Sequence, residues 1–211
     1  MRLPSLFVLS LLLAGCMHMA DTELTRYHED GRAKPSVIIT QLLDTSSFDV
    51  PWSLSEELTS LITYNLSQNR ALYVSEKGEM PFSENPFGHD LQWVQQELRP
   101  YEFAVFLELV DHSYNPVMKE STQSLRDASM NLAMAVRLRV IDLRGTTPKI
   151  ILQEMIKESY FIPKTLLPVD YDVITWGTSE YRKSPLAIAH TELARMVAGR
   201  LNDYILLAKS R

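Results

Sequence analysis

The chain has 211 residues, 45% hydrophobic and 22% charged, a globular composition long enough for one domain with a full core. A formal net charge of −5 argues against nucleic acid as the main partner, because such proteins carry a basic face, and it gives no polybasic patch for anionic lipid. After residue 15 no stretch approaches the roughly 20 apolar residues that a membrane-crossing helix needs.

The first fifteen residues read as a secretion signal. Arg2 supplies the positive charge and Leu6 to Leu13 an apolar run too short to span a bilayer; Ala14 and Gly15 are small residues at a cleavage point. Cys16 follows at once and is the only cysteine. Leu13-Ala14-Gly15-Cys16 resembles the lipobox of bacterial lipoproteins. The resemblance implies cleavage between Gly15 and Cys16, a diacylglycerol on the Cys16 thiol, and an acylated new amino group. Two or three acyl chains anchor stably where one is marginal, since each buried CH2 adds about 0.8 kcal/mol. Met17, where an Asp would favour the inner membrane, implies sorting to the outer membrane. With its sole thiol lipidated the protein forms no disulfide, so the fold must rest on its core. Removal of residues 1–15 takes away Arg2 alone and brings the charge from −5 to −6.

Residues 16–35 are expected to be the lipidated cysteine and a flexible polar tether, and residues 36–211 a single globular domain. Val37 to Leu43 is β-branched and of strand length. Ser53-Leu54-Ser55-Glu56 has the form of a capping box, opening a helix to about Asn69. Its Leu54, Leu58, Leu61, Ile62 and Leu66 share one face, with Glu56, Glu57, Thr63 and Ser67 directed away. Ala71 to Ser75 reads as a second strand, and a strand–helix–strand unit favours parallel pairing. A short helix follows over 90–98, with Asp90 placed to cap it. Phe103 to Val110 is an apolar central strand, and 111–129 a polar connection. Leu132, Met134, Val136, Leu138 and Val140 alternate with Ala133, Ala135, Arg137 and Arg139, the pattern of a half-buried antiparallel strand. A hairpin loop at 142–147 leads to a return strand over 149–161. Residues 162–183 read as a long irregular loop, after which Ser184-Pro185 starts a final helix.

The predicted fold is α+β, a mixed sheet in the order β-α-β-α-β-β-β-α with helices packed on it. In this order the segments Val37–Leu43, Ser53–Leu66, Leu72–Ser75, Phe103–Val110, Leu132–Asp142 and Ile150–Tyr160 resemble a group of periplasmic proteins. The group comprises the penicillin-binding-protein activators, the curli secretion lipoprotein and the N-terminal domain of TolB. The resemblance lies in pattern and order and brings no catalytic signature. It implies a cell-wall synthase as one possible partner.

The sequence carries few signatures of chemistry. The glycines are isolated, so no phosphate-cradling loop exists, and no Ser-x-x-Lys or Gly-x-Ser-x-Gly motif occurs. Of the five histidines, His18 and His28 fall in the tether, and His89 and His112 in loops where solvated side chains are expected. None of these, nor His190, pairs with another at metal-ligand spacing. No metal, cofactor or small-molecule substrate is expected. The acidic pairs Asp44/Asp49, Asp170/Asp172 and Glu154/Glu158 read as solvated faces, and Arg137 and Arg139 are positioned to pair with Glu154 and Glu158 across the hairpin. Tyr171, Trp176 and Tyr181 either cover the sheet or contact a partner, since aromatics anchor interfaces.

These readings lead to a non-enzymatic lipoprotein on the periplasmic face of the outer membrane. It is held to the membrane through Cys16 and binds, regulates or assembles another envelope protein, with Tyr171, Trp176, Tyr181, Arg137 and Arg139 as candidate contact residues. Two alternatives are a secretion-pore subunit, which needs alternating membrane hairpins, and a hydrolase, which needs a pocket of acidic groups with shifted pKa values.

Overall fold

The computed structural model describes residues 26–77, 85–118, 128–167 and 169–211. Six strands and three helices form an α+β fold with an open mixed sheet. In chain order these are β1 (Ser36–Thr40), β2 (Leu43–Asp44), α1 (Leu54–Ser67), β3 (Tyr73–Lys77), α2 (Gln92–Glu97), β4 (Phe103–Val117), β5 (Ser129–Asp142), β6 (Lys149–Ile162) and α3 (Pro185–Lys209). Two short 3-10 turns, Lys164–Leu166 and Tyr181–Lys183, lie between β6 and α3. The signal, Cys16 and His18 lie outside the described residues.

The sheet runs β3-β1-β4-β5-β6. β1 pairs in parallel with both β3 and β4, as expected of a strand–helix–strand crossover. β2 continues along the same edge of β4, opposite Glu108 and Leu109. The sequence suggested one strand over 37–43; instead the chain breaks at Gln41-Leu42. There the Leu42 N–H is taken by the Thr59 hydroxyl at 2.9 Å, and the Leu42 carbonyl accepts from the Ser55 hydroxyl. β4, β5 and β6 form an antiparallel meander.

Helix ends follow the sequence. Ser53 accepts from the Glu56 N–H at 3.1 Å, and Ser184, ahead of Pro185, from the Ala187 N–H at 3.2 Å. Asp90 accepts from the Gln92 N–H, with Leu91 as the residue flanking α2. α1 and α3 cover one face of the sheet over the larger core, which includes Val37, Ile39, Leu58, Ile62, Leu107, Val136, Leu193 and Leu201. α2 covers part of the other face over a smaller core of Ile38, Val94, Leu98, Ala104, Phe106, Ile141 and Leu143.

β4 departs most from expectation. Seven of the residues assigned to a polar connection, 111–117, belong to this strand, and its partner begins at Ser129. The register shifts between Leu109 and Asp111, which leaves Val110 as the extra residue of a β-bulge. Before the bulge, odd-numbered residues (Phe103, Val105, Leu107, Leu109) face the larger core. After it, His112 lies opposite Met134 and Tyr114 opposite Leu132, so even-numbered residues take over that face. One inserted residue therefore carries His112 into the interior, where an unbroken alternation would have turned it out.

Candidate functional site

The bulge brings His112 against His190, from the second turn of α3, with the two Nε2 atoms 2.8 Å apart. On its other side, His190 Nδ1 lies 2.9 Å from Glu57 Oε1, in the first turn of α1. Tyr181 donates its hydroxyl to the same oxygen at 2.5 Å, and Trp52 donates its indole N–H to Glu57 Oε2 at 2.8 Å. Glu57 and His190 have no exposed surface; His112 and Tyr181 have 2% each. The Phe48 ring lies over His112, centroids 4.0 Å apart, and Trp52 meets Tyr181 edge-on at 5.1 Å.

Burial alone would raise the Glu57 pKa. The hydrogen bond and charge of His190 oppose this, aided by Tyr181 and Trp52, and hold it below the usual carboxylate value. His112 is driven down to about 3, first by burial and then by the charge of His190. Burial followed by the Glu57 charge raises the Tyr181 phenol. His112 Nδ1 has no hydrogen-bond partner. His112 is held neutral, and in the 2.8 Å contact one imidazole Nε2 donates to the other. His190 donates from Nδ1 to Glu57. This is a closed relay of buried polar groups joining α1, α3 and β4, and none of the described clefts is lined by any of its members.

The sequence reading missed this cluster. Glu57 was placed on the solvent face of α1 and His112 in a solvated loop; both are buried. Glu57 lies close in the chain only to Trp52, and its other partners are more than 120 residues away. The available signal was a phase change in β4, where apolar 103/105/107/109 gives way to His112 and Tyr114.

Next to the relay, a cleft of about 380 Å³ opens at the same end of the sheet. Tyr114, Met130, Ile162, Leu166, Leu167 and Tyr171 line it. Of the aromatic residues singled out in the 162–183 segment, Tyr171 is half-buried on this wall, Trp176 packs partly buried against the larger core, and Tyr181 is internal.

Arg137 and Arg139 are elsewhere, on the α2 face of the sheet. Neither pairs with Glu154 or Glu158. Arg137 binds Glu108 on the neighbouring strand, and Glu154 instead meets Arg200 of α3 at 3.0 Å. The expected pairing fails because Glu154 and Glu158 share the α3 face with Leu138 and Met134, their partners across the hairpin. Arg139 is buried, donating to the carbonyls of Pro86, Phe87 and Gly88 and to Gln153 Oε1. Both guanidinium groups contact the Phe87 ring. Together they hold segment 85–88 against the sheet.

Among the described residues no group of three or more His, Cys, Asp or Glu side chains is placed to hold a metal ion, and no helix is long and apolar enough to cross a membrane.

Residues 23–209 match a family of unknown function, DUF7499. The chain belongs to that family. No curated protein matches it. Among solved structures, a hypothetical protein from Chlamydia trachomatis, CT253, superposes with a TM-score of 0.66 at 21% identity, covering 82% of this chain and 98% of that one. The two share a fold. Looser matches include bacterial lipoproteins, such as GNA1162 from Neisseria meningitidis (TM-score 0.40, 15% identity, 60% of this chain and 83% of that one). The PelC dodecamer from Paraburkholderia phytofirmans matches at 0.45 with 11% identity, over 78% and 85% of the two chains. Likeness at that level carries no functional weight.

Proposed function

We propose that this DUF7499 member is an envelope lipoprotein, anchored through Cys16 at the periplasmic face of the outer membrane. Its folded body binds another envelope protein without catalysing a reaction. Lipidation rests on the Leu13-Ala14-Gly15-Cys16 motif. The binding role rests on one structural observation: the apolar cleft lies at the end of the sheet opposite the tether. The chain enters at the start of β1, while the cleft stands at the far ends of β4, β5 and β6. Leu166 on the cleft wall is 52% exposed and Val173 nearby in the chain 73% exposed. Large apolar side chains displayed together on a folded body mark protein contact sites. A cell-wall synthase, implied by the resemblance to the penicillin-binding-protein activators, is one partner that fits this placement.

The sealed relay favours binding over hydrolysis. Its shifted groups have the chemistry of a general base, but a substrate atom must come within hydrogen-bond reach of such a base. Photo-crosslinking in cells tests the assignment, with probes at Leu166 and Val173 and a control at Met196 on α3. One envelope protein should be captured from the first two positions and not from the control, and Leu166→Glu should abolish capture. No captured protein at Leu166 and Val173, or equal capture at Met196, would overturn the binding role.

A further inference from the structure

The basic residues are scattered along the sequence, but the fold gathers a group of them at the end where the tether enters. That end is built from the starts of β1, β3, β4 and β6 and the ends of α1, α2, β5 and α3. Three cations there are matched by neighbours: Arg32 by Asp30, Arg144 by Asp142 and Lys209 by Glu102. Lys34, Arg70, Arg99 and Lys149 make no ion pair within 4 Å among the described residues, and Arg26 lies over the Tyr73 ring. Glu29, Glu97 and Asp203 stand at the same end, where cations still outnumber acids. A chain of net charge −5 thus has one positive end. The opposite end carries Asp44, Asp49, Glu56, Asp170, Asp172 and Glu180, against Lys164, Arg182 and Lys183.

At the positive end a hollow of about 540 Å³ is lined by Tyr27, His28, Glu29, Asp30, Arg32, Lys34 and Arg70, with Asp30 paired to Arg32. Residues 26–34 form it by folding back on themselves. Tyr27 bridges Ala33, the Lys34 N–H donates to the Arg26 carbonyl, and Gly31 takes φ +81°, which favours glycine. Tyr27 is exposed, an aromatic of the kind that settles at headgroup level.

We infer that this end of the domain docks on an anionic phospholipid surface, with lipid phosphates at Lys34 and Arg70. The placement rests on the anchor reading. Arg26 lies ten Cα steps beyond Cys16, so the hollow lies at most about 36 Å from the bilayer. The contact turns the apolar cleft away from the membrane. Each basic residue near an anionic surface multiplies binding roughly fivefold, so four contribute on the order of several hundredfold. That is weak for a free protein and ample for one already tethered. The acidic end does not cancel it. β4 alone spans about 50 Å, several times the screening length of about 8 Å at physiological salt.

The test uses a chain beginning at Met17, which lacks the anchor and keeps the whole core, since both described core clusters lie between Val37 and Ile205. Flotation is measured with vesicles of phosphatidylcholine alone and of three parts phosphatidylcholine to one part phosphatidylglycerol, at millimolar lipid. The chain should float with the second and not the first, and about 1 M salt, where the screening length falls to about 3 Å, should release it. Lys34→Glu with Arg70→Glu should cut binding at least tenfold. Arg182→Glu with Lys183→Glu, the same charge change at the other end, should leave it unchanged. Absence of flotation, equal flotation with both vesicles, or equal loss in the two double variants would overturn the inference. None of these outcomes depends on Cys16, whose acylation is read separately by palmitate labelling.

Discussion

The two ends of the molecule handle charge in opposite ways. Beneath the cleft, Glu57, His190, His112 and Tyr181 are sealed from water and bonded to one another and to Trp52, with His112 Nδ1 left unpartnered. At the tether end, the pairs Arg32–Asp30 and Lys209–Glu102 face solvent in whole or in part. The difference shows where polar groups fix structure and where they meet partners. A buried charge demands its partners and ties three elements into one arrangement. Exposed pairs contribute little to stability and leave neighbouring cations available for ligands.

Breaking the relay should produce the largest effect. His190→Ala leaves Glu57 and His112 buried without their shared partner and should cost about 3–5 kcal/mol in denaturant unfolding. A loss under about 1 kcal/mol would mean that the relay does not hold the helices to β4.

Acid should act next. His112 has a folded pKa of about 3 against an ordinary 6.5, so between these values the unfolded chain binds a proton that the native state refuses. Stability from this group is complete above about pH 6.5 and falls as pH drops, by about 1.4 kcal/mol per unit at most. Glu57, whose pKa is lowered, adds a loss of the same sign as pH falls through the carboxylate range. His112→Gln should start less stable and show a flatter slope between pH 6 and 4 when unfolding free energy is measured at each pH. An unchanged slope would remove His112 as its source.

The smallest effect belongs to the tether end. Arg32→Ala should leave the denaturant unfolding midpoint unchanged, because its pair with Asp30 is exposed. A loss comparable to that of His190→Ala would erase the contrast between the two ends.

Much of the fold was legible in the sequence, because local chemistry determines it. The alternation from Leu132 to Val140 gave β5 its buried face, and Ser53 and Ser184 gave the starts of α1 and α3. The relay was hidden because its members obey no local rule. Glu57 has the helical position of a solvated residue and is buried only because α3 delivers His190 to it. His112, Ser113, Asn115 and Pro116 look like loop residues, but pairing with β5 holds them in β4 and the bulge at Val110 turns His112 inward. The positive end was invisible for the same reason: Lys34, Arg70, Arg99 and Lys149 come together only when the strand starts and helix ends are aligned.

The orientation of the two ends depends on the anchor proposed at residue 16. The most direct measurement is incorporation of labelled palmitate, with membrane fractionation, for the wild-type chain and Cys16→Ser. The account predicts label and membrane retention for the wild type, and neither label nor a processed membrane-bound form for the variant. Equal labelling and equal membrane retention of the two would contradict it.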